Sequence, residues 1–561
     1  MKKTKIIALI LAMSMAATGC GKESDRQINP ENQMEHSDVS EEITENPELE
    51  SQDTDIEAEG NQEEENNAAQ NQVEITQETI KDKVVAQDGT VVFEYSYEMP
   101  VITVSGNQQA TEAIRADVET VKENFLKNAK EYGQTAREDY EGITDETQKE
   151  QFFAYSAESF YRVSYQNDKI ISIVYSSYSY LGGPHGNSIQ TTANYSFETG
   201  EKFNFDSFFE DKESAMADIK ALVLKQCESS YYNQRLLEGY EKSLDEVLTE
   251  EYWYFGKSGM MFISNAYMLA SYAAGSFDFI IPYSEMPKTK SEFITQDVYL
   301  YPASYGTTVQ ADLDGDGIQE EVCYNIVEEP VPETEQEEYA VTGEQTAFLS
   351  INGQDYTGVL NDKAGYFVEN PSSHYYLVDL DETDSYVELA IGDYGLNDYM
   401  LTFFLRYDKG ELIYLGCIDD LLESDSCKLL GKGNLTAREH SNLLETVDYI
   451  YDYKLVDGEI REQPKDWYTI DNDSLPEEYQ VHKILKNVTV YTENNTDSES
   501  KTLTPEDGSV RFVASDNKEW VKLTMEDGSV YYLHMTGMIE IDSAGVTEIA
   551  PEVFENLLLA G

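Results

Sequence analysis

Hydrophobic positions along the chain fall into two periods. From Thr90 to Tyr97, Val91, Phe93 and Tyr95 alternate with Val92, Glu94 and Ser96, the two-residue period of a strand, and Val84-Val85 opens the same signal. Ile114, Val118, Val121, Phe125 and Ala129 then recur at helical intervals, with Glu112, Arg115, Glu119, Lys122 and Glu123 on the opposite face, which predicts an amphipathic helix. Two strand-like runs, Phe160 to Gln166 and Lys169 to Tyr180, meet at Asn167-Asp168, a hairpin signal. Met216, Ile219, Val223 and Cys227 share one face of a second helix. Residues 83–290 therefore predict an α+β domain with antiparallel connections.

Beyond residue 296 the helical period disappears. Residues 296–475 read as a β-rich region. Between 478 and 545, short strands at Val488 to Tyr491, Val510 to Val513, Glu519 to Leu523 and Val530 to Leu533 are divided by turns such as Glu506-Asp507-Gly508 and Glu526-Asp527-Gly528, the spacing of a small β-barrel. A C-terminal tail, 546–561, follows, in which Val553 to Leu559 predicts a short helix packed on that barrel. The fold class is multidomain: an α+β domain, a β-rich region and a small barrel.

The first 82 residues have neither period. Met1 to Lys5 is basic, Ile6 to Ala17 is apolar, and Ala17-Thr18-Gly19-Cys20 closes the segment; about 12 apolar residues cannot span a hydrocarbon core of ~30 Å, so residues 1–20 predict a signal peptide. Residues 21–80 hold 19 acidic and 2 basic residues and no Phe, Trp or Tyr. Too little apolar surface offsets the ordering entropy, so 21–82 predicts a disordered, self-repelling tether. The whole chain of 561 residues has 108 Asp+Glu against 39 Lys+Arg, a formal net charge of −69. That balance excludes a nucleic-acid binder, whose affinity comes from Lys and Arg releasing counterions.

The sharpest chemical signal is Asp312-Leu313-Asp314-Gly315-Asp316-Gly317-Ile318-Gln319-Glu320. Carboxylates at positions 1, 3, 5 and 9, a turn glycine at 6 and the Ile318 carbonyl at 7 form an oxygen-rich shell suited to Ca²⁺ as a structural ion. Position 12 is Cys323 and a strand-like run follows, unlike an EF-hand. A second loop, Asp379 to Glu388, keeps acids corresponding to Asp312, Asp314 and Glu321. It places Thr383, Asp384 and Val387 where Asp316, Gly317 and Glu320 stood, so no metal is expected there. The intervening Glu328 to Glu338 is an acidic, Pro-containing insertion expected to be disordered.

His185, in Gly182-Gly183-Pro184-His185-Gly186, sits in a turn whose glycines and proline are explained by geometry; contact with a ligand is its functional reading. Tyr175, Tyr178 and Tyr180 offer a face for stacking on carbohydrate or protein. Cys417 and Cys427 could pair or remain free thiols, and no Cys-x-x-Cys, His-Glu-x-x-His or Gly-x-Ser-x-Gly motif occurs. Gly256-Lys257-Ser258 lacks the upstream glycine of a phosphate loop. No catalytic residue is assigned.

Several stretches resemble known families. The Ala-Thr-Gly-Cys segment resembles bacterial lipoprotein signals, which implies lipidation of Cys20 and a mature chain anchored at the extracellular face of the cytoplasmic membrane, in a Gram-positive-type cell. Leu181 to Asn187, Tyr195 to Phe209, Met261 to Tyr267, Ala270 to Gly275 and Ile280 to Tyr283 together resemble the extracytoplasmic domains of RsiV-type anti-sigma factors and the N-terminal region of PdaC-type deacetylases. That resemblance implies extracellular binding, of lysozyme or cell-wall glycan; the anti-sigma segment and the deacetylase domain have no counterpart here. The Asp312 loop resembles FG-GAP/VCBS repeats, which implies propeller-type blades, and 478–545 resembles a bacterial SH3-like barrel, which implies wall-peptide binding. The expectation is a non-enzymatic surface lipoprotein that binds or senses an extracellular ligand; the rival is a peptidoglycan-modifying enzyme or its accessory factor.

Overall fold

The computed structural model describes residues 73–559 apart from 291–297, 330–343, 360–370, 395–399, 425, 442, 471–474 and 476–478. The signal peptide, Cys20, most of the tether and most of the acidic insertion lie outside the described residues.

The first sheet has the order β1 (Val73–Val85), β2 (Val91–Val104), β3 (Tyr155–Gln166), β4 (Ile170–Tyr180), β5 (Asn187–Ser196). Strand β1 corrects the tether boundary: residues 73–82 pair with β2 in continuous antiparallel register from Val73↔Val104 to Asp82↔Tyr95. The acidic, aromatic-free composition of 21–80 extends into them because β1 is an edge strand. Its polar side chains face water, while Val73, Ile75 and Val84 pack on the core. Charged residues such as Glu74, Lys81 and Lys83 on that edge also discourage further strand pairing.

Helix α1 runs from Gln108 to Gly142 and extends the predicted face at both ends. Asn107 caps it through Oδ1, which accepts the Ala110 N–H at 3.1 Å. Its buried Ile114, Val118, Phe125 and Ala129 cover β2 and β4 through Phe93, Tyr97, Ile171, Ile173 and Tyr175. Because α1 crosses between them, β2 and β3 pair in parallel, Phe93↔Tyr155. This pair departs from the expected all-antiparallel pattern, as a helical crossover permits.

A second layer follows. The helix Lys212–Cys227 buries Ala215, Ile219, Val223 and Cys227 against a three-stranded sheet of β6 (Trp253–Phe255), β7 (Gly259–Ser264) and β8 (Phe277–Pro282). Strands β4 and β5 are sutured to this layer by side chains, Ser172 from β4 and Thr192 and Asn194 from β5. Thr192 Oγ1 donates to the Trp253 carbonyl at 2.6 Å, Asn194 Nδ2 donates to the same oxygen at 2.9 Å, and the Phe255 N–H donates to Ser172 Oγ at 3.0 Å.

The β-rich region consists of three consecutive antiparallel meanders of four strands. The first is β10 (Thr308–Ala311), β11 (Glu320–Glu329), β12 (Glu344–Ile351) and β13 (Gln354–Asp355). The second is β14 (Pro371–Val378), β15 (Glu388–Tyr394), β16 (Met400–Asp408) and β17 (Glu411–Ile418), with β9 (Leu300–Ser304) added beside β14. The third is β18 (Lys428–Gly431), β19 (Asn434–Ser441), β20 (Val447–Val456) and β21 (Glu459–Gln463).

The last sheet contains β22 (Tyr468–Thr469), β23 (His482–Lys483), β24 (Val488–Tyr491), β25 (Ser500–Leu503), β26 (Ser509–Ser515), β27 (Trp520–Met525) and β28 (Val530–His534). Among the described residues no sheet closes on itself. Nor does this sheet own a separate core: Leu435, Tyr449, Val488, Phe512 and Phe554 belong to one cluster that reaches back to Leu300 and Phe404. The C-terminal tail is part of it. Strands β29 (Glu540–Ser543) and β30 (Val546–Ile549) pair, a short helix spans Ala550–Val553, and Phe554 is buried against Phe512.

The four cysteines among the described residues are free thiols. Cys427 lies in the core shared with the last sheet, and Cys417 packs on the core of the first two meanders. Burial pushes the Cys427 thiol up to about 12.

Candidate functional site

Two places gather the candidate side chains. The first is the junction of β5 with the loop after β7. Asn265, 5% exposed, sits opposite Gln190: its Oδ1 accepts the Gln190 N–H at 2.8 Å and its Nδ2 donates to the Gln190 carbonyl at 2.9 Å. A side chain thus replaces one rung of strand pairing, and it fixes where the following loop goes. Tyr267 in that loop adopts φ +71°, and Tyr272 reaches back to donate to the Gly186 carbonyl at 3.0 Å. A bulky residue with positive φ is strained by about 1–3 kcal/mol.

The result is a stack of rings that joins two distant parts of the chain. His185 lies on Tyr272 with ring centroids 3.9 Å apart and planes 20° apart; Tyr267 lies 5.5 Å from Tyr272 at 32°. His185 is exposed, Tyr267 is 59% exposed and Tyr272 is 36% exposed. Tyr178 lies beneath the turn, so close that a Cβ on Gly186 would meet its ring at 2.3 Å. Burial, with Tyr272 and Glu158 nearby, raises the Tyr178 phenol. Tyr180 anchors the same turn by donating to the Gly183 carbonyl at 3.2 Å.

Tyr175 does not join them. It is 3% exposed and packs beneath α1, which removes it from the candidate contacts. The reason is strand parity: residues 178 and 180 share one face of β4 and residue 175 points to the other. Tyr267 and Tyr272 are the additions. Neither carries a local signal, because Tyr272 meets His185 and Gly186 more than 80 residues away and Tyr267 joins the stack only through Tyr272.

The second place is the Asp312 loop, between β10 and β11. Carboxylate oxygens of Asp312, Asp314 and Glu320 lie within 4.8 Å of one another. Glu320 is buried, and its Oε2 accepts the Leu313 N–H at 3.0 Å. Asp312 Oδ2 accepts Gly317 N–H at 3.0 Å, while its Oδ1 is buried without a hydrogen-bond partner. Asp314 Oδ2 accepts the Lys409 N–H from the turn after β16 at 3.0 Å. Asp316 stands outside the trio, exposed, with Oδ1 on the Ile318 N–H at 2.7 Å, and Ile318 is 65% exposed.

The Asp379 loop occupies the same position, between β14 and β15. Glu388 Oε2 accepts the Leu380 N–H at 3.1 Å, as Glu320 does from Leu313. This bond revises the expected register. Glu388 corresponds to Glu320 and Asp384 to Asp316, with Glu382-Thr383 in place of Gly315. All four carboxylates are therefore retained, and the loss expected at Val387 does not occur.

The Gly256-Lys257-Ser258 hairpin has a structural part: the Lys257 ammonium is held by the carbonyls of Leu422, Ser424 and Cys427.

Two segments of the chain resemble known families. Residues 86–188 match the family model described as deacetylase PdaC, and residues 206–284 match that of a protein of unknown function (DUF3298). The stack therefore bridges the two matched segments, with His185 and Tyr178 in one and Tyr267 and Tyr272 in the other. Among solved structures, a DUF3298-family protein from Bacteroides fragilis NCTC 9343 aligns with 16% identity and a TM-score of 0.31, covering 40% of this chain and 95% of that one. A DUF3298-family protein from Pseudomonas aeruginosa PAO1 aligns with 14% identity and a TM-score of 0.26, covering 38% and 93%. No curated protein matches the chain. Among the described residues no helix is long and apolar enough to cross a membrane.

Proposed function

We propose that this protein is a lipid-anchored extracellular binding module whose ligand is cell-wall glycan, held at the junction of the PdaC-type and DUF3298 segments. The observation that carries the reading is the exposed His185–Tyr272–Tyr267 stack. Flat ring faces present apolar area at low side-chain entropy cost, as the CH-rich face of a sugar ring requires, and strain at Tyr267 is the kind held at ligand clamps. Lipidation at Cys20 and an acidic tether would hold the module outside the cytoplasmic membrane. A tether of about 50 residues can extend on the order of 150 Å. Incubation with neutral β-1,4-linked N-acetylglucosamine oligomers tests the reading, with saturable binding expected.

Lysozyme is the second reading, favoured by the net charge of −69, which attracts a basic partner. Binding that vanishes entirely in added salt would reduce it to bulk charge attraction.

The three meanders act as blades of an incomplete propeller in this account, and the last sheet as an open SH3-like unit facing wall peptide. Ca²⁺ would be held by Asp312, Asp314 and Glu320, with Asp316 and the Ile318 carbonyl completing an oxygen shell. It would neutralise carboxylates that otherwise repel one another.

A further inference from the structure

The two acidic loops share a carboxylate set, the second being one residue longer, and they differ in their charged neighbours. In the second meander, Arg406 on β16 stands opposite Glu388, one residue beyond the Leu389↔Leu405 pair. Its Nε donates to Glu388 Oε1 at 2.8 Å, a second nitrogen donates to the same oxygen, and that nitrogen also reaches Asp384 Oδ2 at 3.1 Å. The guanidinium lies 4.3 Å from the Tyr386 ring centroid. The Arg406 side chain is 13% exposed and that of Glu388 is fully buried.

The same register in the first meander gives a different residue. Val322 pairs with Ile351, after which the chain turns at Asn352-Gly353 into β13, so β12 has no strand residue opposite Glu320 and the matching count falls on the turn glycine Gly353. Gly353 carries no side chain, lies at φ +74°, and a Cβ there would meet nothing within 4 Å. Among the described residues no ion pair reaches Asp312, Asp314 or Glu320, whereas Arg406 pairs with Glu388 in the second loop. Lys409 contributes its backbone N–H, while its ammonium pairs with Asp408 at 2.9 Å and remains largely exposed.

We propose that the second loop is a cation site filled from within the chain, with the Arg406 guanidinium as a tethered cation in contact with Glu388 and Asp384. A buried Glu388 carboxylate needs a positive partner. In the first loop glycine leaves that place to an ion from solution; in the second, arginine closes it permanently. The loops also touch: the Val387 N–H donates to the Leu313 carbonyl at 3.0 Å, and a Cβ on Gly315 would meet Ser385 Cβ at 2.3 Å. A cation at either loop therefore stiffens the other. The role of Arg406 does not rest on Ca²⁺ binding by the first loop.

The test uses the full chain with Arg406→Met, which keeps the aliphatic stem, and Arg406→Lys. Thermal unfolding is followed in chelator and in millimolar Ca²⁺, with bound Ca²⁺ counted by equilibrium dialysis. Arg406→Met is expected to lower Tm in chelator by more than about 5 °C, to recover on adding Ca²⁺, and to bind one more ion than the unsubstituted chain. Arg406→Lys should bind no additional ion. Asp314→Asn combined with Arg406→Met isolates the second loop and should still bind one ion. If the wild type binds none but Arg406→Met binds one, the first-loop reading fails and this proposal stands. A Tm loss that Ca²⁺ does not restore, or an unchanged ion count, overturns it.

Discussion

The His185 and Tyr272 rings lie parallel, 3.9 Å apart, although 86 residues separate them in the chain. One ring belongs to the PdaC-type segment and the other to the DUF3298 segment, so the stack exists only when both are folded and sutured. The same contact measures docking and forms the proposed binding surface.

Substitution at Tyr272 should separate binding from stability. Tyr272→Ala removes a partly exposed ring and one hydrogen bond, so stability should fall by about 1 kcal/mol while oligosaccharide binding is lost. Chemical denaturation and calorimetric titration of the same sample measure the two effects.

Gly186→Ala should act on the same surface from below. Its Cβ would meet the Tyr178 ring at 2.3 Å, so the turn or the ring must move. Binding should weaken with Tyr272 intact, and the aromatic resonances of Tyr178 and His185 should shift together.

Residues 73–82 should be indispensable to the first sheet. A chain beginning at Lys83 would leave the β2 edge unpaired and remove Val73 and Ile75 from the core. It should melt below a chain beginning at Val73, which should match the longer protein. Equal melting temperatures for all three would contradict the assignment of β1.

Glu445 predicts a pH effect with a definite sign. Burial raises its carboxyl from the usual 4.5 to about 7. A raised acid favours the folded state while protonated, so its contribution is complete below about 4.5 and is lost as pH rises to about 7. His482, whose Nε2 lies 3.6 Å from Glu445, is lowered by burial and has the opposite slope below its usual range. Glu445→Gln should therefore gain on the wild type as pH rises from about 4.5 to about 7, measured by denaturant midpoints. Glutamine can still accept the Leu558 N–H that Glu445 Oε1 receives at 3.0 Å.

Much of this was legible in the sequence where a period or a motif is local. The face of α1, the β3–β4 hairpin and the Asp312 loop all follow from spacing, whereas grouping Tyr175 with Tyr178 and Tyr180 as one face overlooked the parity along β4 that separates them. The failures have physical causes. Strand β1 is an exposed edge whose polar composition resembles the tether before it. The expected register of the second loop was one residue out because Glu382-Thr383 replaces Gly315, and only the Leu380–Glu388 hydrogen bond shows which acid is which. The approach of Tyr272 to His185 depends on Asn265 mimicking a strand across β5, a long-range event with no sequence period. The independent barrel expected at 478–545 instead shares its core with the preceding meander, because both present apolar faces to each other.

The central claim is that the stacked junction binds a neutral sugar chain. Calorimetric titration of the full chain with an N-acetylglucosamine hexamer, in low and in high salt, tests it most directly. The account predicts saturable one-to-one binding, unchanged by salt and abolished by Tyr272→Ala. Absence of binding, or binding that survives Tyr272→Ala, would contradict it.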